Sequence, residues 1–171
     1  MKFFLKLLVL ISIFFFSSLS AQIDEYEIKS IVIHKILNFV KWPESSKEPQ
    51  FVFGVIGKSA VTKKMAELAT KVRYENRNIV VVSISSMDEI KRCNALFVAP
   101  SEASKLDKIV EAASGKAVLL ISDYSGFGAK GIHINLFLEE NRVKFEINKK
   151  TLDLTQLKLS AKLYKLARII E

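Results

Sequence analysis

Cysteine and histidine are scarce in this sequence of 171 residues, which has one cysteine, Cys93, and two histidines, His34 and His133. A single cysteine excludes an internal disulfide, so Cys93 is either a small buried residue at the entrance of a strand or a free thiol able to join two chains. Zinc sites need three or four ligands at suitable spacings. Neither histidine has a companion carboxylate or cysteine at such a spacing, and the sequence therefore predicts no metal site.

The motifs of nucleotide binding and of serine catalysis are incomplete or missing. The segment FVFGVIGKSAV contains Gly57-Lys58-Ser59, which resembles the end of a P-loop, but that motif requires a glycine five residues before Gly57. Val52 stands there. No G-x-S-x-G elbow marks a nucleophile. We therefore predict no enzyme activity and no cofactor. Gly57 and Ser59 remain in a strand-to-helix turn, which is either a weak anion site or a plain turn.

The longest apolar run stands at the amino terminus. Lys2 and Lys6 precede an apolar stretch over residues 7–16, and small residues follow up to Ala21. This order is typical of a secretory signal peptide, whereas a membrane span needs about 20 apolar residues. No cysteine near the expected cleavage site would accept a lipid. We predict that residues 1–21 are a signal peptide and that residues 22–171 form one exported, periplasmic domain.

Positive charge exceeds negative charge along the chain. The formal net charge is +8, and removal of Lys2 and Lys6 with the signal peptide lowers it to +6. The charges are spread rather than blocked, and an exported protein does not meet nucleic acid. Anionic headgroups, cell-wall polymers or an acidic protein face are therefore the expected partners of such a surface, and an ordinary solvated surface is the alternative.

Apolar periodicity predicts helices and strands in alternation. Residues 24–40 have apolar side chains at four-residue steps, which indicates an amphipathic helix that ends before Trp42-Pro43. The next predicted strands cover residues 51–56, 79–84, 95–99 and 117–121, and the helices between them cover 59–71, 86–92 and 101–113. Apolar strands alternating with helices predict an α/β fold, with a mostly parallel central sheet and helices on both faces.

The pattern changes in the last third of the chain. Strands predicted at 132–138 and 142–147 are joined by the turn EENR, which indicates a C-terminal antiparallel β-hairpin at one edge of the sheet. Residues 160–171 predict a final helix, capped by Ser160, with Leu163, Leu166 and Ile170 on one stripe. Ligands of open α/β sheets lie beyond the carboxyl ends of strands. Asp123 and Ser125, in the loop after the fourth strand, hold that position.

Several segments, in this order, resemble the YfiR family of small periplasmic proteins. They are HKILNFVKWP, FVFGVIG, CNALFVAPS, VLLISDYSGFGAKGIHINLFLEENRVKFEIN and LKLSAKLYKLARII. The likeness covers the chain from Glu25 to the carboxyl terminus. It implies an α/β fold without catalytic residues. It also implies a regulatory role, because the best understood members bind the periplasmic part of an inner-membrane diguanylate cyclase and hold it inactive, lowering cyclic-di-GMP and biofilm formation.

Other members of that family resemble partners of sensor kinases or other membrane receptors. Cys93 matches a cysteine of the family, but the partners that form disulfides in better-known members are missing here. The resemblance therefore does not imply a disulfide switch in this chain. His133 stands where the family tends to have an apolar residue.

Two functions remain open at this point. The first is a regulator that docks on the periplasmic domain of an inner-membrane receptor and modulates it, with repression as the expected sign. Its candidate contact residues are Trp42, Pro43, Tyr124, Phe127, Lys162 and Lys165. Trp42 and Phe127 have an alternative role, which is to hold their loops on the core.

The second function is a periplasmic module for a small ligand, either an anion or a cell-wall fragment. Its candidate binding residues lie in the loops after the first and fourth predicted strands: Gly57, Ser59, Asp123 and Ser125. The family and the hairpin edge, expected to be exposed, also allow a homodimer.

Overall fold

A computed structural model describes residues 24–46 and 48–171. The predicted signal peptide, residues 1–21, lies outside the described residues. Within the described ranges, no helix has both the length and the apolar character needed to cross a bilayer.

The described chain alternates between strands and helices. The strands are β1 (Val40–Lys41), β2 (Phe51–Ile56), β3 (Arg73–Tyr74), β4 (Arg77–Ile84), β5 (Ala95–Val98), β6 (Leu119–Ser122), β7 (Ile134–Glu139), β8 (Arg142–Asn148), β9 (Lys158–Leu159) and β10 (Arg168–Ile170). The α-helices are α1 (Glu25–Leu37), α2 (Val61–Ala69), α3 (Leu106–Ala113), α4 (Lys149–Leu152) and α5 (Ala161–Leu166). Short 3-10 helices cover Glu44–Ser46, Met87–Arg92, Pro100–Lys105 and Gly128–Lys130.

The central sheet has the strand order β10-β8-β7-β6-β5-β2-β4-β3. Strands β4, β2, β5, β6 and β7 are mutually parallel, whereas β7 and β8 form an antiparallel hairpin. From β2 the chain proceeds first to β4 on one side and then to β5 on the other. The sheet therefore has a topological switch point between β2 and β5, where doubly wound folds hold their ligands.

Helices cover both faces of the sheet, as the sequence predicted. On one face α1 and α2 place Ile33 and Met65 against Phe53 of β2. On the other face α3 places Ile109 in a second cluster, together with Leu96 of β5. Successive residues of β5 alternate between the two clusters because side chains alternate across a strand. The predicted α/β fold with a mostly parallel sheet is confirmed.

Helix α1 is shorter than predicted and turns a different face to the core. Asp24 caps it, since its Oδ1 accepts a hydrogen bond from the Tyr26 N–H (2.9 Å). The predicted end at residue 40 is wrong, because Val40 leaves the helix and pairs with Leu159 in the ribbon formed by β1 and β9. The apolar residue Ile31 of this helix is 38% exposed.

The buried face of α1 includes Lys29, Ile33, Ile36 and Leu37. Apolar residues at four-residue steps occur on more than one face of this helix, so the spacing alone does not determine which face is buried. This rotation of the helix places the charged side chain of Lys29 next to Asp123, in the loop after β6.

The last segment also differs from its prediction. Ser160 caps α5 as expected, through its Oγ and the Leu163 N–H (3.4 Å), but the helix ends at Leu166. Residues Arg168–Ile170 then pair in parallel with β8. The open side of β8 offers hydrogen bonds to a β-branched segment, and this tertiary pairing overrides helical periodicity. Strand β10 covers β8 from Glu146 to Asn148, whereas residues 142–145 have no neighbouring strand on that side within the described ranges. The homodimer stays a prediction.

Gly54 allows Cys93 and Leu96, which belong to the second apolar cluster, to approach β2 closely. A Cβ at this position would lie 2.5 Å from Cys93 Sγ and 3.0 Å from Leu96 Cδ1. Cys93 is a buried free cysteine, so the burial expected from the sequence is confirmed. Burial raises the pKa of the Cys93 thiol to about 11. The thiol stays protonated near neutral pH, and thiols in this form are poor nucleophiles.

The Gly54→Ala variant should be less stable than the wild type. The added methyl group must displace Cys93 or its neighbours, and overpacking of this kind costs about 1–3 kcal/mol. Urea denaturation followed by circular dichroism would measure the loss. In the double variant with Cys93→Ala, part of the loss should be recovered; strictly additive effects of the two changes would contradict the proposed cause.

His133 stands directly before β7 and is buried. Its Nδ1 accepts a hydrogen bond from the Leu120 N–H (3.0 Å), which fixes the proton of the neutral ring on Nε2. Burial lowers the pKa of His133 from 6.5 to about 4. Protonation of Nδ1 would both charge a buried ring and remove the acceptor for Leu120.

The free energy of unfolding should fall as the pH decreases from 6.5 to 4. In this interval the unfolded chain protonates His133 and the folded chain does not, so stability rises with pH and is complete above 6.5. The pKa difference corresponds to about 3 kcal/mol. Urea denaturation at pH 7 and pH 4.5 measures this loss.

The His133→Asn variant is the control for this prediction. Its side-chain oxygen keeps an acceptor for Leu120 and does not titrate, so its stability should depend less on pH. An NMR titration that placed the His133 pKa near 6.5 in the folded protein would contradict the prediction.

Candidate functional site

The switch point between β2 and β5 is filled by side chains of the protein itself. Ser101 Oγ accepts a hydrogen bond from the Lys58 N–H (3.0 Å). Gly57 has φ +88°, and a Cβ there would lie 2.5 Å from Ser101 Oγ and 2.8 Å from Glu102 Cγ. The space that a side chain at Gly57 would take is therefore already occupied. Ser59 Oγ accepts a hydrogen bond from the Val61 N–H (3.2 Å) at the start of α2.

A buried ion pair joins α1 to the loop after β6. Lys29 Nζ lies 2.5 Å from Asp123 Oδ2, and these side chains are 6% and 3% exposed. Glu25, one turn earlier in α1, places its Oε1 2.6 Å from the same nitrogen. Burial acts to lower the pKa of Lys29, but hydrogen bonds to Asp123 and Glu25 outweigh it and raise this pKa above 10.5. Lys29 is therefore charged when folded.

An open cavity of about 480 Å³ lies next to this ion pair, along the free side of β7. We call it the β7 slot. Segment 135–138 of β7 forms one wall, and the amino end of α1 and the loop at Ser125 and Gly126 form the other. The charged groups that line it are Glu25, Lys29, Asp123, Glu146 and Arg168. Three carboxylates thus face two cations.

Two buried acceptor atoms of residues lining the slot have no hydrogen-bond partner among the described residues. They are Asp123 Oδ1 and Asn135 Oδ1. Asn135 is 2% exposed, and its Nδ2 donates to Glu146 Oε1 (3.1 Å). Buried acceptors without a donor cost free energy. A ligand of the slot is therefore expected to bring donors, and the excess of carboxylates favours a cationic group over an anion.

Residues 26–168 match a family model described as YfiR/HmsC-like. The chain belongs to the YfiR/HmsC-like family. The match covers most of the described residues and confirms the resemblance found in the sequence. Membership is consistent with a periplasmic regulator, and proteins of the YfiR/HmsC-like family are regulators rather than enzymes.

Comparison with solved structures shows that a protein of low sequence identity shares the fold of this YfiR/HmsC-like chain. One similar structure is described as the ABC domain in complex with L-Trp from Streptococcus pneumonia, with a TM-score of 0.50 and 14% identity. The match covers 70% of the YfiR/HmsC-like chain and 55% of the other chain. At this identity the likeness shows a shared fold alone. Comparison with curated proteins finds no match.

The structure divides the predicted contact residues of this YfiR/HmsC-like protein between opposite ends of the sheet. Trp42, 6% exposed, packs at the amino ends of β2 and β5, where its indole Nε1 donates to the Asn94 carbonyl (3.0 Å). Tyr124 and Phe127 follow the carboxyl end of β6. One continuous patch cannot include both the Trp42-Pro43 corner and this loop.

Burial separates the two rings of the β6 loop. Phe127 is 2% exposed, so it holds the loop on the core, as does Trp42 at the other end. Tyr124 is 45% exposed, and its ring lies edge-on against Phe127 with centroids 4.8 Å apart.

The remaining predicted contact residues differ in exposure. Pro43 is half-buried, and Lys162 and Lys165 are exposed. Lys162 Nζ lies 5.4 Å from the centroid of Phe39.

The predicted ligand residues also fall into two groups. Gly57 and Ser59 lie at the filled switch point, whereas Asp123 and Ser125 line the β7 slot. Lys29, Asn135 and Glu146 were not among the site residues predicted from the sequence. Lys29 left a signal, because it stands four residues before the buried Ile33 on the core-facing stripe of α1. The pairing of Asn135 with Glu146 depends on strand register, which the sequence pattern does not show.

Proposed function

We propose that the protein is a periplasmic regulator that binds the periplasmic domain of an inner-membrane signalling receptor, a diguanylate cyclase or a sensor kinase, and represses it. The observation that carries the proposal is the YfiR/HmsC-like match over residues 26–168. A regulator must bind one receptor state better than another. Tyr124 and Leu138 are 45% and 51% exposed. Leu138 lines the β7 slot and Tyr124 precedes the lining residue Ser125, so both supply apolar contact area there.

The filled switch point supports a protein partner over the alternative of a small anionic ligand. Ser101 and Glu102 occupy the space next to Gly57 where such a ligand would lie. At the other predicted position, Asp123 is already paired with Lys29, and the surrounding charges disfavour an anion.

A deletion and complementation experiment tests the regulator. We expect deletion of the gene to raise cyclic-di-GMP or the output of the cognate kinase, and the wild-type gene to restore it. Cross-linking of tagged residues 22–171 in native membranes should capture one inner-membrane receptor. Unchanged output under every growth condition, together with no captured receptor, would overturn the proposal.

Two surface variants make the complementation test specific. Leu138→Ser removes exposed apolar surface beside the slot and should weaken repression. Leu154→Ser makes the same change at a side chain that is 77% exposed and lines a different cavity, so it should complement as the wild type does. Equal complementation by both variants would place the receptor contact elsewhere on the domain.

A further inference from the structure

Strand β7 extends beyond the neighbour that covers it. The ladder with β6 contains only the pairs Ile121–Ile134 and Ser122–Asn135, because β6 ends at Ser122. On its other side β7 stays paired with β8 up to Glu139. Residues 136–139 are therefore covered on one side only, and the β7 slot lies along the other.

The hairpin turn determines which backbone groups face the slot. Glu140 and Asn141 form a two-residue loop with φ of 51° and 57°, typical of a type I′ turn. The pair that closes such a turn, Glu139 and Arg142, is hydrogen-bonded, and hydrogen-bonded pairs alternate with non-bonded ones along an antiparallel ladder. The amide and carbonyl of Leu138 therefore point away from β8.

The same alternation turns the backbone of Leu136 toward the β6 side. Its amide faces the last carbonyl of β6, whereas its carbonyl lies beyond the end of that strand. Together with the two groups of Leu138, this carbonyl gives the slot one donor and two acceptors in the arrangement of a sheet edge. Neighbouring strands lie about 4.8 Å apart, and the open cavity of about 480 Å³ beside segment 135–138 accommodates a short extended chain.

Charge indicates which extended chain fits. The slot has three carboxylates against two cations, and it contains Asp123 and Asn135, each with a buried acceptor atom that lacks a donor within the described part of the chain. A lysine or arginine side chain supplies both the positive charge and several N–H donors. An acidic segment would add a carboxylate to an already negative slot.

We propose that the β7 slot binds an extended segment of a partner protein, which adds a strand to the free edge of β7 and places a lysine or arginine side chain toward Asp123 and Asn135. Strand addition of this kind obtains affinity from main-chain hydrogen bonds and specificity from alternate side chains. The assignment of the segment to a membrane receptor rests on the proposed function; the strand-addition site itself does not.

Calorimetric titration of residues 22–171 with capped synthetic hexapeptides tests the slot directly. The first peptide alternates valine with lysine, the second replaces lysine with glutamate, and the third is the lysine peptide methylated on alternate backbone nitrogens. We expect saturable binding of the first peptide and a loss of about tenfold or more in affinity for the other two. Equal binding of the methylated peptide would overturn strand addition.

A matched pair of protein variants locates the binding. Ser125 is exposed and lines the slot, so Ser125→Trp should fill the slot and abolish binding of the lysine peptide. Ser114 is also exposed but lines a different cavity, so Ser114→Trp should bind as the wild type does. Both substitutions lie outside the core, and circular dichroism verifies folding. Wild-type binding by a folded Ser125→Trp variant would overturn the proposed location.

The outcomes also separate this inference from the proposed function. If a receptor is captured equally by wild type and Ser125→Trp, the regulator stands and the assignment of the strand-adding segment to the receptor falls. If the lysine peptide binds but no receptor responds to the gene, the site stands without the receptor. Binding of lysine methylamide as tight as that of the peptide would show a small-amine site and overturn the peptide proposal.

Discussion

The Lys29→Met variant should lose about 3–5 kcal/mol of its free energy of unfolding, because removing one partner of a buried ion pair leaves the other charge uncompensated. Asp123 is 3% exposed in its side chain, and its Oδ1 already has no partner among the described residues. Without Lys29 this carboxylate loses the cation that compensates its charge. Urea denaturation at neutral pH, where the raised pKa keeps Lys29 charged, measures the loss.

Two controls separate the ion pair from a general effect of losing a lysine. The double variant Lys29→Met, Asp123→Leu removes both charges and should recover most of the stability, since an apolar pair can replace a buried ion pair at little cost. Lys64→Met breaks the pair with Asp24 (3.0 Å), whose side chains are 23% and 44% exposed, and should change stability much less, because pairs near the surface contribute little. A loss in Lys29→Met no larger than in Lys64→Met would contradict the prediction.

Trp42→Ala is the second variant with a large expected effect, a loss of about 3–5 kcal/mol for a buried aromatic side chain. Trp42 packs edge-on against Phe51 and Tyr74, with ring centroids 5.1 and 5.3 Å away. Its indole also donates to Asn94, whose Oδ1 accepts from the Val52 N–H (2.8 Å). Truncation therefore leaves a cavity where the loop before β2 meets β5.

Trp42→Phe separates packing from the hydrogen bond. It keeps an aromatic ring and should recover most of the loss, with about 1 kcal/mol remaining for the missing indole donor. Because Trp42 is the only tryptophan, unfolding is best followed by circular dichroism. A small loss in Trp42→Ala would show that the ring is not needed in the core and would restore its candidacy as a contact residue.

The alternation of continuous apolar runs with amphipathic segments was sufficient to predict the central sheet, because buried parallel strands and surface helices differ in this way. Phe51–Ile56 and Ala95–Val98 are apolar throughout, as parallel strands covered on both faces must be. Strand β10 was not predictable in this way. Arg168–Ile170 becomes a strand only because β8 offers an open side, and this partner lies far away in the sequence.

The candidate site was predictable only in part, for the same reason. Asp123 follows a predicted strand, and the rule for open sheets places it at the carboxyl end. Its pairing with Lys29 required the rotation of α1, and the exposed side of β7 required the length of β6 relative to its neighbour. The separation of Trp42 from Tyr124 likewise follows from topology, which local patterns do not contain.

The ion pair between α1 and the β6 loop also has a consequence for the order of folding. Its two residues are 94 positions apart, so Lys29 can reach Asp123 only after α1 and the loop after β6 have come together. Closing so long a loop is entropically costly, and folds dominated by distant contacts assemble slowly. We expect α1 to dock late in folding, on a sheet that has already formed.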